Sequence, residues 1–202
     1  MDEFQLIQEA TAGNLDSFNR LVLVYQDMVF NQAYRMLGEV ENAADITQET
    51  FLSAYRNLRS FRGGSFKAWL LRIATNACYD ELRRKKRHPS QPLEPLDENE
   101  EEIESPAWLA DPQESPEERL ERSQLGKALQ HCLDGLPVDF RAVVILVDIQ
   151  GMDYVEAART MGKPVGTIKS RLARARLRLR DCLKGFWELL PSSFRLLGES
   201  KL

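Results

Sequence analysis

The sequence predicts an all-α protein of two small helical domains joined by an acidic, proline-rich linker, and three observations carry that reading. Helical periodicity runs almost unbroken from Phe4 to Arg87, with no alternating strand of useful length. Near the other end, Pro164 to Arg180 (PVGTIKSRLARARLRLR) combines a turn, a helix start and two faces of opposite character. Between them the charge reverses. Arg59 to Arg87 is strongly basic, whereas Pro89 to Glu118 holds no Lys or Arg and accumulates carboxylates among repeated prolines. Such a stretch buries little and cannot run as a helix. It reads as a self-repelling spacer or as an imitation of nucleic-acid charge.

Taken in order, a first helix bears Phe4, Leu6, Ile7 and Ala10 and stops at Gly13-Asn14. A second runs from about Asp16 to Leu37, turning Phe18, Leu21, Val22, Tyr25, Val29, Ala33 and Leu37 toward a core, and ends at Gly38. The third begins near Glu41. Its apolar positions Ala44, Phe51, Leu52, Tyr55 and Leu58 form a buried side, and Asp45, Gln48 and Glu49 form an acidic, hydrogen-bonding side. That acidic side is either a solvated face or a docking surface for a basic partner. A break follows at Phe61, Arg62, Gly63, Gly64, Ser65 and Phe66, where paired glycines open conformations closed to other residues.

The next helix carries Trp69, Leu70, Ile73, Ala74, Ala77, Cys78 and Leu82 into the cluster Arg83 to Arg87. Aromatic rings beside a glycine loop, followed by a cationic helix end, suit the stacking of unpaired bases while the charges hold phosphates. Trp69 itself shares the spacing of Ile73 and Ala77 and reads as a core anchor. Past the linker, Tyr154, Val155, Ala158 and Met161 make a short amphipathic helix closed by Gly162. Ile168, Leu172, Ala175 and Leu179 then recur along one stripe, and Lys169, Arg171, Arg174, Arg176, Arg178 and Arg180 fill the rest. Helix, turn and cationic helix are what a reader of the DNA major groove requires.

The net charge of −4 averages over these opposed segments and does not exclude a nucleic-acid partner. No apolar run approaches the roughly 20 residues that cross a bilayer, and no secretory signal is visible, so a soluble, cytoplasmic protein without membrane insertion is expected. Cys78, Cys132 and Cys182 are odd in number and far apart, which predicts reduced core thiols. His88 and His131 stand at no metal-ligand spacing from them, so neither a metal nor a cofactor is expected. An enzyme lacks support: there is no phosphate-cradling Gly-Lys loop and no nucleophile beside a base. A stand-alone helix-turn-helix repressor would need paired recognition helices, and no coiled-coil heptads supply the symmetry.

Several motifs in order converge on one family. Asp45-Ile46-Thr47-Gln48-Glu49-Thr50-Phe51-Leu52-Ser53-Ala54-Tyr55-Arg56, Phe61-Arg62-Gly63 and Trp69-Leu70-Leu71-Arg72-Ile73-Ala74-Thr75-Asn76 resemble region 2 of extracytoplasmic function (ECF) sigma factors of the sigma-70 family. Leu136-Pro137, Gly151 to Ala158 and Pro164 to Arg176 resemble their region 4. The resemblance implies a non-catalytic promoter-specificity subunit divided into a region 2 domain at 1–88, an acidic linker at 89–117, a region 4 domain at 118–184 and an apolar tail at 185–202.

It further implies that Asp45, Gln48 and Glu49 dock on the clamp of the largest subunit of core RNA polymerase, with the flap of the second largest as a further contact. Phe61, Arg62, Gly63, Gly64, Ser65, Phe66, Asn76, Arg83 and Arg84 would take the minus-ten element and keep it open. Lys169, Ser170, Arg171, Arg174 and Arg176 would read the minus-thirty-five element of promoter DNA. Many relatives are held inactive by an anti-sigma factor, so such a partner is implied too. The loop is one residue shorter than the commonest family form, with Gly64 where an acidic residue is frequent.

Overall fold

Helix boundaries in the computed structural model, which describes residues 2–87 and 116–189, follow the punctuation of the chain. Helix α1 spans Glu3–Thr11, α2 Leu15–Leu37, α3 Val40–Asn57 and α4 Phe66–Arg87, with a 3-10 turn at Leu58–Ser60. The second group is α5 (Pro116–Asp134), α6 (Val138–Val144), a π-helical turn (Ile145–Ile149), α7 (Tyr154–Met161), α8 (Val165–Leu183) and a 3-10 segment (Lys184–Leu189). Among the described residues there is no strand. Asn14 caps α2 by accepting from the Ser17 amide at 3.1 Å, and Gly38 closes it at φ 79°. Asp153 and Glu156 form a reciprocal capping box on α7, and Gly162 ends that helix at φ 61°, as the sequence predicts. Proline is favourable at a first helical position, and α5 accordingly starts at Pro116, inside the stretch that composition assigns to the linker. The rest of the linker and the tail beyond residue 189 lie outside the described residues.

One core gathers Leu21, Val29, Phe66, Leu70 and Ala74 among α1 to α4. Another gathers Leu133, Val143, Ile168, Leu172 and Ala175 among α5 to α8, and Leu71 of α4 belongs to it. A third joins Ala33, Met36 and Cys78 to Ala142 and Ile145. The two helical groups therefore pack on each other through α2 and α4. Polar bonds cross the seam: Arg141 donates from Nη1 to the Met36 carbonyl at 2.7 Å, Lys67 Nζ to the Gln150 carbonyl at 2.5 Å, and Gln150 Nε2 to the Met28 carbonyl at 3.3 Å.

Two sequence expectations are corrected. Cys132 and Cys182, expected as reduced thiols, form a disulfide across 50 residues with their Cα atoms 5.7 Å apart. The helical pattern around each cysteine could not reveal that α5 lies against the end of α8. Cys78 alone is a buried free thiol, its pKa pushed up to about 12 by burial. The buried stripe of α3 also differs, running through Ala43, Ile46, Thr50, Phe51 and Ala54, leaving Ala44 exposed and Leu52 and Tyr55 49% and 44% exposed.

Candidate nucleic-acid and polymerase interfaces

The recognition-type helix α8 is built on the expected stripe, since Ile168, Leu172, Ala175 and Leu179 are its buried residues. Burying that face turns the cations outward. Lys169, Ser170, Arg174 and Arg176 are exposed and Arg171 is half-buried. Most are already engaged within the chain. Arg171 Nη1 lies 2.8 Å from Asp139 Oδ2, an ion pair set off the line of a directed hydrogen bond. The other oxygen of Asp139 accepts from the Tyr79 hydroxyl of α4 at 2.9 Å, and burial, then this carboxylate, pushes the Tyr79 pKa up. Arg176 grips Asp148 with two bonds of 3.0 and 2.5 Å, which raises the guanidinium pKa. Lys169 sits 5.5 Å over the Tyr154 ring. Ser170 donates back to the Thr167 carbonyl at 3.0 Å, and no described residue pairs with Arg174.

The loop between α3 and α4 is organised differently. Gly63 and Gly64 adopt φ 88° and 89°, the left-handed region, and a Cβ on either would meet nothing within 4 Å. Phe66 is 1% exposed and stacks near Tyr25, Phe61 and Trp69 at ring separations of about 5.5 Å, so it anchors the core and presents nothing outward. Phe61 is half-buried with one side toward solvent. The Ser65 hydroxyl oxygen accepts from the Ala68 amide at 3.1 Å, a capping role for α4. Arg62 is exposed. Asn76 is exposed too, but ten residues along α4 from Phe66, about 15 Å at the helical rise, so it does not line the loop. Further along, Arg83 pairs with Asp80 at 3.2 Å and Arg84 with Glu81 at 2.7 Å, both on the surface.

On α3, Asp45, Gln48 and Glu49 are exposed together, and no described residue hydrogen-bonds or ion-pairs with them. Beside them runs an apolar groove of about 760 Å³ between α2 and α3, with Leu15, Val22, Val40, Leu52 and Tyr55 in its walls and Gln48 at its edge. The sequence reading missed the groove because it placed Leu52 and Tyr55 inside. It also missed Asp139 and Asp148, whose partners are 32 and 28 positions away, a separation at which no periodicity signals contact.

Among the described residues no His, Cys, Asp or Glu group is placed to hold a metal ion, and no helix is long and apolar enough to cross a membrane.

Comparison with known proteins agrees with this layout. Residues 21–88 match the family model described as Sigma-70 region 2, and residues 126–179 match Sigma-70, region 4. The chain is 40% identical over 169 residues to the ECF RNA polymerase sigma factor SigE of Mycolicibacterium smegmatis, covering 84% of this chain and 62% of that one. It is 34% identical over 179 residues to the ECF RNA polymerase sigma factor SigW of Bacillus subtilis, covering 88% and 95%. Among solved structures, the sigma factor RpoE in complex with the anti-sigma factor NepR from Bartonella quintana aligns with a TM-score of 0.64 at 27% identity, covering 84% of this chain and 98% of that one. CnrH in complex with the cytosolic domain of CnrY aligns at 0.61 and 27%, covering 89% and 96%. The chain belongs to the sigma-70 family, among its ECF members.

Proposed function

We propose that the chain is a promoter-specificity subunit with no catalysis of its own, acting in the cytoplasm on core RNA polymerase and promoter DNA. The observation that carries this is the pairing, in one sigma-70 chain, of a helix with one buried stripe and an outward cationic face with an open two-glycine loop flanked by an aromatic and an arginine. Lys169, Ser170, Arg171, Arg174 and Arg176 read the upstream element, and Phe61 to Ser65 with Asn76, Arg83 and Arg84 hold the minus-ten element. Asp45, Gln48 and Glu49, beside an apolar groove, suit a basic amphipathic helix such as a polymerase clamp presents. An anti-sigma partner is the further expectation, because similar proteins have been solved in complexes with such factors.

The two promoter elements lie about 25 base pairs apart, about 85 Å of duplex. A globule of this length has a radius of gyration of about 16 Å. The packed arrangement of the two helical groups therefore has to part for both elements to be read together.

Copurification with core polymerase followed by run-off transcription on a promoter library tests the reading. Asp45→Arg with Glu49→Arg is expected to abolish copurification while the circular dichroism of the helices is kept, because the docking face turns repulsive to a basic partner. Two exposed charges are reversed together because either alone contributes little. Unchanged copurification would overturn the docking assignment.

A further inference from the structure

The disulfide between Cys132 and Cys182 takes no part in the promoter reading proposed above, and its setting is unusual. In a cytoplasmic protein such bonds are kept reduced unless they are transient, catalytic or redox-sensing. Its two ends also differ in access. Cys132 is 2% exposed inside the core of the second helical group, whereas Cys182 is half-buried in the last turn of α8, followed by the exposed Lys184 and Gly185. An external thiol reaches the bond from the Cys182 side.

What the bond joins gives it a consequence, because α5 is held from two sides. One face sets Leu129, Cys132 and Leu133 into the core shared with Ile168, Leu172 and Ala175 of α8, and His131 meets the Phe186 ring edge-on at 5.7 Å. The neighbouring face belongs to α2 of the first group. Arg35 Nη1 donates to the Gly126 carbonyl at 3.3 Å and to Gln130 Oε1 at 3.2 Å, and Gln130 Nε2 donates back to the Arg35 carbonyl at 3.4 Å. Asp134 comes so close to Gly38 that a Cβ there would stand 3.2 Å from its carboxylate. When the two groups part, α5 has to leave one of these partners. Its tie to α8 includes a covalent bond and its tie to α2 does not, so the oxidised chain keeps α5 on α8. With the bond broken, apolar contacts on one side compete with hydrogen bonds on the other.

We propose that Cys132 and Cys182 form a thiol redox switch that decides which helical group keeps α5, and with it whether α8 stays fit to read upstream DNA. The proposal rests on the cytoplasmic placement and the upstream-element reading given above. The reductant is of the dithiol class. One of its thiolates attacks the Cys182 sulfur, forming a mixed disulfide and expelling Cys132 as a thiolate, which takes up a proton. The second thiolate then attacks the reductant's own sulfur in the mixed disulfide and expels Cys182, which is protonated in turn. Two electrons and two protons pass to the protein, and the dithiol leaves as a cyclic disulfide. Exchange with an external disulfide reverses the sequence and restores the bond.

The test uses the full-length chain assembled with core polymerase, oxidised with glutathione disulfide or reduced with dithiothreitol. The probe is a fork-junction DNA whose upstream duplex has been selected by the oxidised holoenzyme from a randomised library. Maleimide labelling after denaturation reports the state of the bond: of the three cysteines, Cys78 alone should label when the bond is intact, and all three when it is reduced. Reduction should lower retention of the probe about tenfold, within the ordinary range of coupling between two sites, and reoxidation should restore it. Cys132→Ala with Cys182→Ala should bind as the reduced protein does in both buffers, which also shows that the reductant acts through this bond and not on the polymerase. Arg35→Ala removes the hold of α2 on α5 and should rescue retention in the reduced state, a recovery that simple unfolding of the second group would not give. Labelling of Cys78 alone in dithiothreitol overturns the switch, and so does full labelling with retention unchanged; either leaves the upstream reading standing. A loss on reduction that Arg35→Ala does not rescue overturns the competition for α5. Absence of any enriched upstream sequence in the oxidised holoenzyme overturns the upstream reading itself.

Discussion

The cationic helix α8 and the glycine loop, the two surfaces proposed above to meet nucleic acid, differ in what occupies them beforehand. On α8 three of the arginines are paired with the protein's own carboxylates, Arg171 with Asp139, Arg176 with Asp148 and Arg180 with Asp181, and Asp139 also ties the helix to α4 through Tyr79. At the loop, the glycines face open space and Arg62 is exposed. A duplex approaching α8 has to displace ion pairs already in place, so part of its attraction goes into exchange. A strand approaching the loop displaces only water. The rigid helix is held closed by charge, and the permissive backbone is left open.

The largest way to break this comparison is through the disulfide, which belongs to the α8 side alone. Closing a 50-residue loop contributes about 4 kcal/mol in the chain-entropy account. Reduction, or Cys132→Ala with Cys182→Ala, should therefore lower the unfolding temperature of the second helical group while hydrogen exchange in α1 to α3 stays nearly unchanged. Equal loss in both groups would mean that they unfold as one unit. An absence of any shift under reductant would mean that the bond constrains little.

Next in size is the loop. Valine at a left-handed position costs about 1 to 2 kcal/mol per residue, so Gly63→Val with Gly64→Val should distort the loop by up to about 4 kcal/mol of strain. Binding of duplex upstream DNA should be nearly normal, and strand separation, followed by permanganate reactivity of the non-template strand, should slow or stop. Normal melting would reduce the loop to a connector.

Arg174→Ala sharpens the comparison from the other side, since Arg174 is the recognition-helix arginine that no described residue engages. Its loss should weaken upstream-element affinity by about 1 to 3 kcal/mol if it reads a base, and by less, with a shallower salt slope, if it touches phosphate. Arg171→Ala should cost less than Arg174→Ala in the free chain, because Arg171 gives up an internal partner on binding. Equal losses in a gel-shift series would show that the Asp139 pair carries no weight.

The smallest expected effect is that of pH on the seam. The Tyr79 phenol donates to Asp139 and its folded-state pKa is raised above the ordinary 10.0 by burial and that carboxylate. The stabilisation is thus fully present below 10.0 and is lost as the pH rises through the folded value. Small-angle scattering should show the packed form loosening on the alkaline side, and Tyr79→Phe should remove that step. A radius indifferent to alkaline pH in the unsubstituted protein would take this hydroxyl out of the account.

What was legible in advance sorts by distance along the chain. Gly38 and Gly162 end their helices at positive φ, Gly63 and Gly64 open the loop, and the α8 stripe is buried at the four expected positions. Each of these is decided by neighbours within about two turns, where backbone freedom and the 3.6-residue period act directly. On α3 the same reasoning slipped by a residue in places. Leu52 and Tyr55 are apolar at helical spacing, but the surface that meets them is a groove open to solvent rather than a core.

Residue type and local order by themselves determined the helices, their ends, the cationic face of α8 and the family motifs, because propensity, capping and amphipathic period are local properties of a chain. Only the tertiary structure decided that Cys132 meets Cys182, that Asp139 and Asp148 hold two of the arginines, that Leu71 of the first group completes the core of the second, and that α1 faces the glycine loop. Those contacts join positions from 28 to more than 60 residues apart, and at such separations many pairings satisfy the same hydrophobic pattern. The choice among them is made by the shape of helices packing on one another, which no single segment contains.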